Sequence, residues 1–131
     1  MTGKAIICVD DEAIILESLK EQLEKYFGLE YIIEIAESAD EGLEIIEEFI
    51  EDQIEIVIIV SDWLMPGMKG DEFLIKTHEL IPRAAKILLT GQAKEDSIKK
   101  IQKVIHNFKL IQKPWSKEEL IETINDGLKN E

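Results

Sequence analysis

The sequence predicts an α/β protein made of five consecutive βα units, a doubly wound parallel sheet with helices on both faces. Three observations predict it. Short, wholly apolar runs alternate with stretches whose apolar residues recur every three or four positions. The apolar runs lack polar alternation, as strands buried on both faces do. The two patterns follow one another strictly, which demands right-handed crossovers that place helices on both sides of a parallel sheet. With 131 residues and no linker, repeat or low-complexity stretch, residues 1–131 read as one domain.

Ala5–Val9 is the first strand. Ile14, Ile15, Leu16, Leu19, Leu23 and Tyr26 then mark the inward face of a helix, and Gly28 is placed to end it. Tyr31–Ala36 is the second strand. Ser38 with Glu41 forms a capping box that opens a helix with Leu43, Ile46 and Ile50 inward. Ile54–Ser61 is the third strand. The loop Pro66-Gly67-Met68-Lys69-Gly70 leads into a helix through Phe73, Leu74, Thr77 and Leu80, which stops at Pro82. Ala85–Leu89 is the fourth strand, Ile98, Ile101 and Ile105 mark the fourth helix, and Lys109–Gln112 is the fifth strand. Ser116 with Glu119 caps a last helix carrying Leu120, Ile124 and Leu128.

Composition narrows the function. A hydrophobic fraction of 45% supports a core. No apolar run approaches the roughly 20 residues that cross a bilayer, so no membrane contact is expected. The N-terminus lacks a signal-peptide layout, and the one cysteine, Cys8, reads as a buried thiol in a reducing compartment, so the expected location is the cytoplasm. A net charge of −13 argues against direct nucleic-acid binding. That charge is unevenly spread. Residues 83–117 hold nine lysines and arginines against Glu95 and Asp96, whereas Glu37–Glu55 holds nine acids and no base. A basic face around Lys94, Lys99, Lys100 and Lys103 suits an acidic partner, or the acidic second helix of another copy.

In a doubly wound sheet, ligands lie beyond the carboxyl ends of the strands. The first strand runs into Asp10-Asp11-Glu12, the third into Asp62, the fourth into Thr90 and the fifth into Lys113. Each alone has a plainer reading: helix caps for Asp10 and Asp11, a turn cap for Asp62, turn chemistry for Thr90, a solvated lysine for Lys113. Together, on one sheet edge, they suggest phosphoryl chemistry. Crowded carboxylates repel, and Mg²⁺ relieves that repulsion through hard oxygen ligands. A carboxylate beside the cation can then attack a phosphoryl group, with an ammonium and a hydroxyl to balance charge on its oxygens.

Four stretches resemble the receiver domain of two-component response regulators: Ile7-Cys8-Val9-Asp10-Asp11-Glu12, Ser61 to Gly70, Leu89-Thr90-Gly91 and Lys113-Pro114-Trp115. The resemblance implies a flavodoxin-like fold with strand order 2-1-3-4-5, which propensity alone would not choose. It implies Asp62 as the phosphoacceptor, and Asp11, Asp62 and the Leu64 carbonyl as Mg²⁺ ligands, with Asp10 acting through water. Lys113 would pair with the phosphoryl group, Thr90 would be the switch hydroxyl, and the Lys113–Pro114 bond would be cis. A sensor histidine kinase or phosphotransfer protein would be the donor. The face of the fourth helix, fifth strand and last helix would serve output or homodimerisation.

Three positions depart from the family's pattern. Leu110 occupies the place, three before the lysine, where an aromatic switch residue is usual, and Phe108 is expected in a different pleat register. Leu64 is apolar where a polar group often places hydrolytic water, with Gln92 the other flanking residue, so slow self-dephosphorylation is expected. Asp71 and Glu72 open the third helix and are expected to cap it. The expected function is a signalling switch, not an enzyme acting on a separate substrate. A receiver-like module that binds partners without phosphorylation is the alternative. A phosphatase of the haloacid-dehalogenase type would want a second Asp where Leu64 stands, and a flavin phosphate would be repelled by the acidic first loop. The chain stops soon after the last helix, as a stand-alone regulator or a receiver cut from a larger protein would.

Overall fold

The computed structural model describes residues 3–91 and 94–129. The elements are β1 (Lys4–Val9), α1 (Ala13–Phe27), β2 (Ile32–Ala36), α2 (Ala39–Glu51), β3 (Glu55–Asp62), α3 (Gly70–Leu80), β4 (Ala85–Thr90), α4 (Glu95–Val104), β5 (Phe108–Gln112) and α5 (Lys117–Lys129). All strand pairs are parallel and the sheet order is β2-β1-β3-β4-β5, the flavodoxin-like order that the resemblance implied. Two ends differ from expectation in a way that matters: β3 includes Asp62, and β4 includes Thr90.

The apolar runs are where the sheet is covered on both sides. β1, β3 and β4 are buried almost throughout, whereas the edge strands β2 and β5 are mixed. Pleating divides each central strand between two cores. Ile6 and Cys8 join Leu16, Leu19, Leu23, Leu120 and Ile124 under α1 and α5. Ile7 and Val9 join Ile46, Phe73, Leu74 and Ile101 under α2, α3 and α4. Cys8 is fully buried, and burial, then the Asp10 charge, pushes its thiol up to about 12, so it stays protonated.

Helix caps form where they were expected. Ser38 Oγ accepts the Glu41 amide at 3.1 Å, and Ser116 Oγ accepts the Glu119 amide at 3.0 Å. The returning arm of the first box reaches one residue further than expected, because Glu41 Oε2 accepts from the Glu37 amide. Gly28, at φ 61, ends α1 and donates to the Glu24 carbonyl.

Four residues assigned inward are exposed: Ile14, Tyr26, Ile50 and Leu80. Ile14, 80% exposed, is two positions before Leu16 and so about 200° around the helix from the buried stripe. That stripe continues from Leu23 to Phe27, one step past Tyr26. Ile50 and Leu80 stand in the last turns of α2 and α3, at the ends of those helices. The expected pleat register of Phe108 is also corrected. Phe108 pairs with Lys86 and Leu110 with Leu88, so the two side chains share one face of β5 by the period-2 rule. Phe108 packs into the core under α4, while Leu110 is 38% exposed.

Candidate functional site

The strand order reverses at β1, so the crevice lies where β1 and β3 end side by side. Asp10 follows β1, and its amide still donates to the Ala36 carbonyl of β2 at 3.1 Å. Its carboxylate is fully buried and does two jobs. Oδ1 accepts the Glu12 amide at 2.9 Å, closing the turn into α1, while Oδ2 accepts from Lys113 Nζ at 3.1 Å. The capping reading and the site reading of Asp10 thus apply to different oxygens. Asp11 is exposed beside it.

Asp62, the last residue of β3, is buried, and the backbone around it is tightly held. The Gly70 amide donates to the Trp63 carbonyl at 2.8 Å. A Cβ on Gly70 would collide with the Asp62 carbonyl oxygen and stand 2.8 Å from Trp63 Cα. The Ser61 hydroxyl donates to that same Asp62 carbonyl at 2.9 Å. Asp71 Oδ1 accepts the Glu72 amide at 2.8 Å within the first turn of α3, but the N-cap position is Lys69 and has no side-chain cap, so the expected capping by Asp71 and Glu72 reduces to this one local bond.

Lys113 follows β5. Its amide donates to the Thr90 carbonyl at 2.9 Å, and its bond to Pro114 is cis. Its ammonium reaches Asp10 Oδ2 at 3.1 Å and Asp62 Oδ1 at 3.3 Å. Thr90 is buried at the end of β4. A cleft of about 520 Å³ opens over the group, walled by Asp11, Asp62, Thr90 and Lys113, with Trp63 and Leu64 beside them. All six residues singled out from the sequence therefore lie at one sheet edge, five around this cleft and Asp10 directly behind it. Gln92 lies outside the described residues.

One carboxylate oxygen from each of Asp10, Asp11 and Asp62 fits within a 4.8 Å group. Three hard oxygen donors at that spacing fit Mg²⁺. The electrostatics agree. Burial, then the Asp10 charge, raises the Asp62 carboxyl above its usual range, with Lys113 opposing. Burial likewise raises Asp10, against the Glu12 amide and Lys113. Burial would lower Lys113, but the hydrogen bond and charge of Asp10, then of Asp62, outweigh it and hold the ammonium protonated. One ammonium shared by two buried carboxylates, with a third alongside, leaves net negative charge and room for a divalent cation.

The basic segment is less uniform than its composition suggested. Lys86 is fully buried, donating to the Ile81 carbonyl at 2.7 Å and to His78 Nδ1 at 3.1 Å. Lys99 is exposed but paired with Glu95 at 3.7 Å. Among the described residues, no helix is long and apolar enough to cross a membrane. Sequence reasoning missed the roles of Lys86 and Gly70, and the bond from Trp115 Nε1 to Gln22 Oε1 at 2.9 Å. The glycine beginning α3 was a usable signal for Gly70; nothing local announced the other two.

A family model for the response regulator receiver domain matches residues 6–125. The chain is 30% identical over 126 residues to the chemotaxis protein CheY of Halobacterium salinarum, covering 96% of this chain and 98% of that one. A solved CheY-like response regulator receiver domain protein from Methanospirillum hungatei superposes with a TM-score of 0.82 at 32% identity, covering 98% of this chain and 95% of that one. A hydrogenase transcriptional regulatory protein of Cupriavidus necator is 26% identical over 94% of this chain, which spans only 24% of that regulator's length.

Proposed function

The chain belongs to the response regulator receiver domain family, and from that membership we propose that residues 1–131 act as one phosphoacceptor switch. Asp62 takes a phosphoryl group from a sensor histidine kinase or a phosphotransfer protein. A carboxylate oxygen of Asp62 forms the new bond to phosphorus, and the P–N bond of the donor phosphohistidine breaks with its electron pair returning to the imidazole. Asp10, Asp11, Asp62 and the Leu64 carbonyl would hold Mg²⁺, which supplies charge compensation on the phosphoryl oxygens. Lys113 and Thr90 meet the remaining charge, the first as an ammonium, the second as a hydroxyl.

The observation that carries this reading is the Lys113 ammonium set between Asp10 and Asp62 at 3.1 and 3.3 Å, at the end of the sheet and on the wall of an open cleft.

Phosphorylation then alters the face of β4, α4, β5 and α5, which addresses an output or a second copy; the basic residues Lys94, Lys99, Lys100 and Lys103 suit an acidic partner. With Leu64 apolar, self-dephosphorylation is slow. The protein works in the cytoplasm as a switch, without direct contact to nucleic acid or membrane. Titration with beryllofluoride tests the reading, because Trp63 lines the cleft and reports occupancy by fluorescence. Saturable binding that requires Mg²⁺ and disappears in Asp62→Ala supports it; no binding favours a module that works without phosphorylation.

A further inference from the structure

Lys113 is anchored on both sides along the chain. Before it in the fold, its amide is tied to the Thr90 carbonyl of β4 at 2.9 Å. After it, the half-buried Trp115 packs against the core under α1 and α5, and its indole Nε1–H donates to Gln22 Oε1 at 2.9 Å. Gln22 stands on α1 next to the fully buried Leu23, and its own amide donates to Ser18 Oγ at 3.4 Å. α1 starts at Ala13, directly after Asp10-Asp11-Glu12. The indole–amide bond therefore joins the connection that carries the ammonium to the helix that follows the Asp10-Asp11-Glu12 loop.

A lysine side chain has four rotatable bonds and no fixed direction of its own. Where its ammonium rests depends on the backbone from which it projects. Here that backbone is a short connection between β5 and α5, and the ammonium must meet Asp10 Oδ2 and Asp62 Oδ1 at once. From this geometry we infer that Gln22 and Trp115 are positioning residues, holding the β5–α5 connection against α1 so that the Lys113 ammonium spans both carboxylates. Neither touches the reacting atoms. The kinetic consequence rests on the phosphoacceptor reading; the placement of Lys113 in the resting protein does not.

Two variants of one residue separate positioning from packing. Gln22→Met keeps length and bulk without an acceptor, and Gln22→Glu keeps an oxygen within reach of the indole. Three quantities are read on the full chain: the Lys113 side-chain ammonium resonances in metal-free protein, the maximal rate of adduct formation from acetyl phosphate with Mg²⁺, and the urea midpoint. In Gln22→Met the Lys113 resonances move toward those of a solvated lysine. The maximal rate falls about fivefold, the equivalent of one ordinary hydrogen bond, while the half-saturating acetyl phosphate changes by less than about twofold. Gln22→Glu restores the resonances and the rate. Unchanged Lys113 resonances in Gln22→Met overturn the inference. So does a Gln22→Glu protein as impaired as Gln22→Met, with both equally destabilised. If wild type takes up no phosphoryl group while its Lys113 resonances still respond to Gln22, the phosphoacceptor reading fails and the positioning role stands.

Discussion

The Lys113 ammonium donates to Asp10 Oδ2 at 3.1 Å, joining residues 103 apart in the chain at the open end of the sheet. Asp10 is fully buried and Lys113 only partly exposed, so neither charge has water as an adequate substitute for the other. Removing Lys113 strands the Asp10 carboxylate, whereas removing Asp10 leaves the ammonium with Asp62 at 3.3 Å.

Lys113→Ala is expected to cost about 3 kcal/mol of stability at neutral pH without Mg²⁺, the penalty of leaving a buried carboxylate without its cation. Adding Asp10→Asn to that variant recovers part of the loss, because the more deeply buried of the two carboxylates that Lys113 served is then neutral. Urea unfolding of the four members of this double-mutant cycle reads the coupling. Strict additivity of the two substitutions would contradict the pairing.

The three carboxylates within 4.8 Å repel one another, so a divalent cation should stabilise the fold as well as prepare the site. At a hundredfold excess over its dissociation constant, Mg²⁺ adds about 2.7 kcal/mol. Chelation reverses the gain, and Asp11→Ala loses most of it. Thermal unfolding with Mg²⁺ and with chelator is the check, and identical midpoints in wild type would speak against a cation site.

Gly70 leaves no room for a side chain beside the Asp62 carbonyl and Trp63 Cα. Gly70→Ala must push back the backbone that carries the Asp62 carboxylate. The expected cost is about 2 kcal/mol, as for other overpacked sites. Beryllofluoride affinity should fall with it, whereas Gly127→Ala, whose Cβ would stand 3.0 Å from Ala85 Cβ and Ile58 Cδ1 away from the cleft, sets the reference for stability alone.

Lys86 gives a pH dependence whose sign is fixed by burial. Its side chain is fully buried and burial brings its pKa from 10.5 down to about 8. Between those two values the unfolded chain keeps a proton that the folded chain has shed, so stability rises with pH across that window. The displacement corresponds to about 3 kcal/mol. Because Cys8 and other groups titrate in the same range, wild type is compared with Lys86→Met. The stability of wild type relative to the variant should grow by about that amount between pH 7 and pH 11 and stay level below pH 7.

The legible parts of this protein are those written locally. Burial of the central strands on both faces appears as apolar runs at Ile6–Val9 and Ile56–Val60, and helix starts appear as Ser38–Glu41 and Ser116–Glu119. The site was legible because the carboxyl ends of parallel strands share one edge, so Asp10, Asp62, Thr90 and Lys113 could be gathered from strand ends alone. The strand order was not readable from propensity and came from the family resemblance. Ile14 misled because an apolar residue in a helix-like stretch says nothing of its azimuth until the buried stripe from Leu16 to Phe27 is known. Lys86 misled more deeply. A lysine in a strand reads as a surface charge, and only the approach of His78 and the Ile81 carbonyl in the fold makes its burial tolerable.

Whether Asp62 accepts a phosphoryl group is read from intact mass after incubation with acetyl phosphate and Mg²⁺, for wild type and Asp62→Ala. The expected result is a gain of about 80 Da, one phosphoryl group on the nucleophilic carboxylate, that requires Mg²⁺ and is absent from the variant. A wild-type mass that does not change, or an adduct that persists in Asp62→Ala, would contradict it.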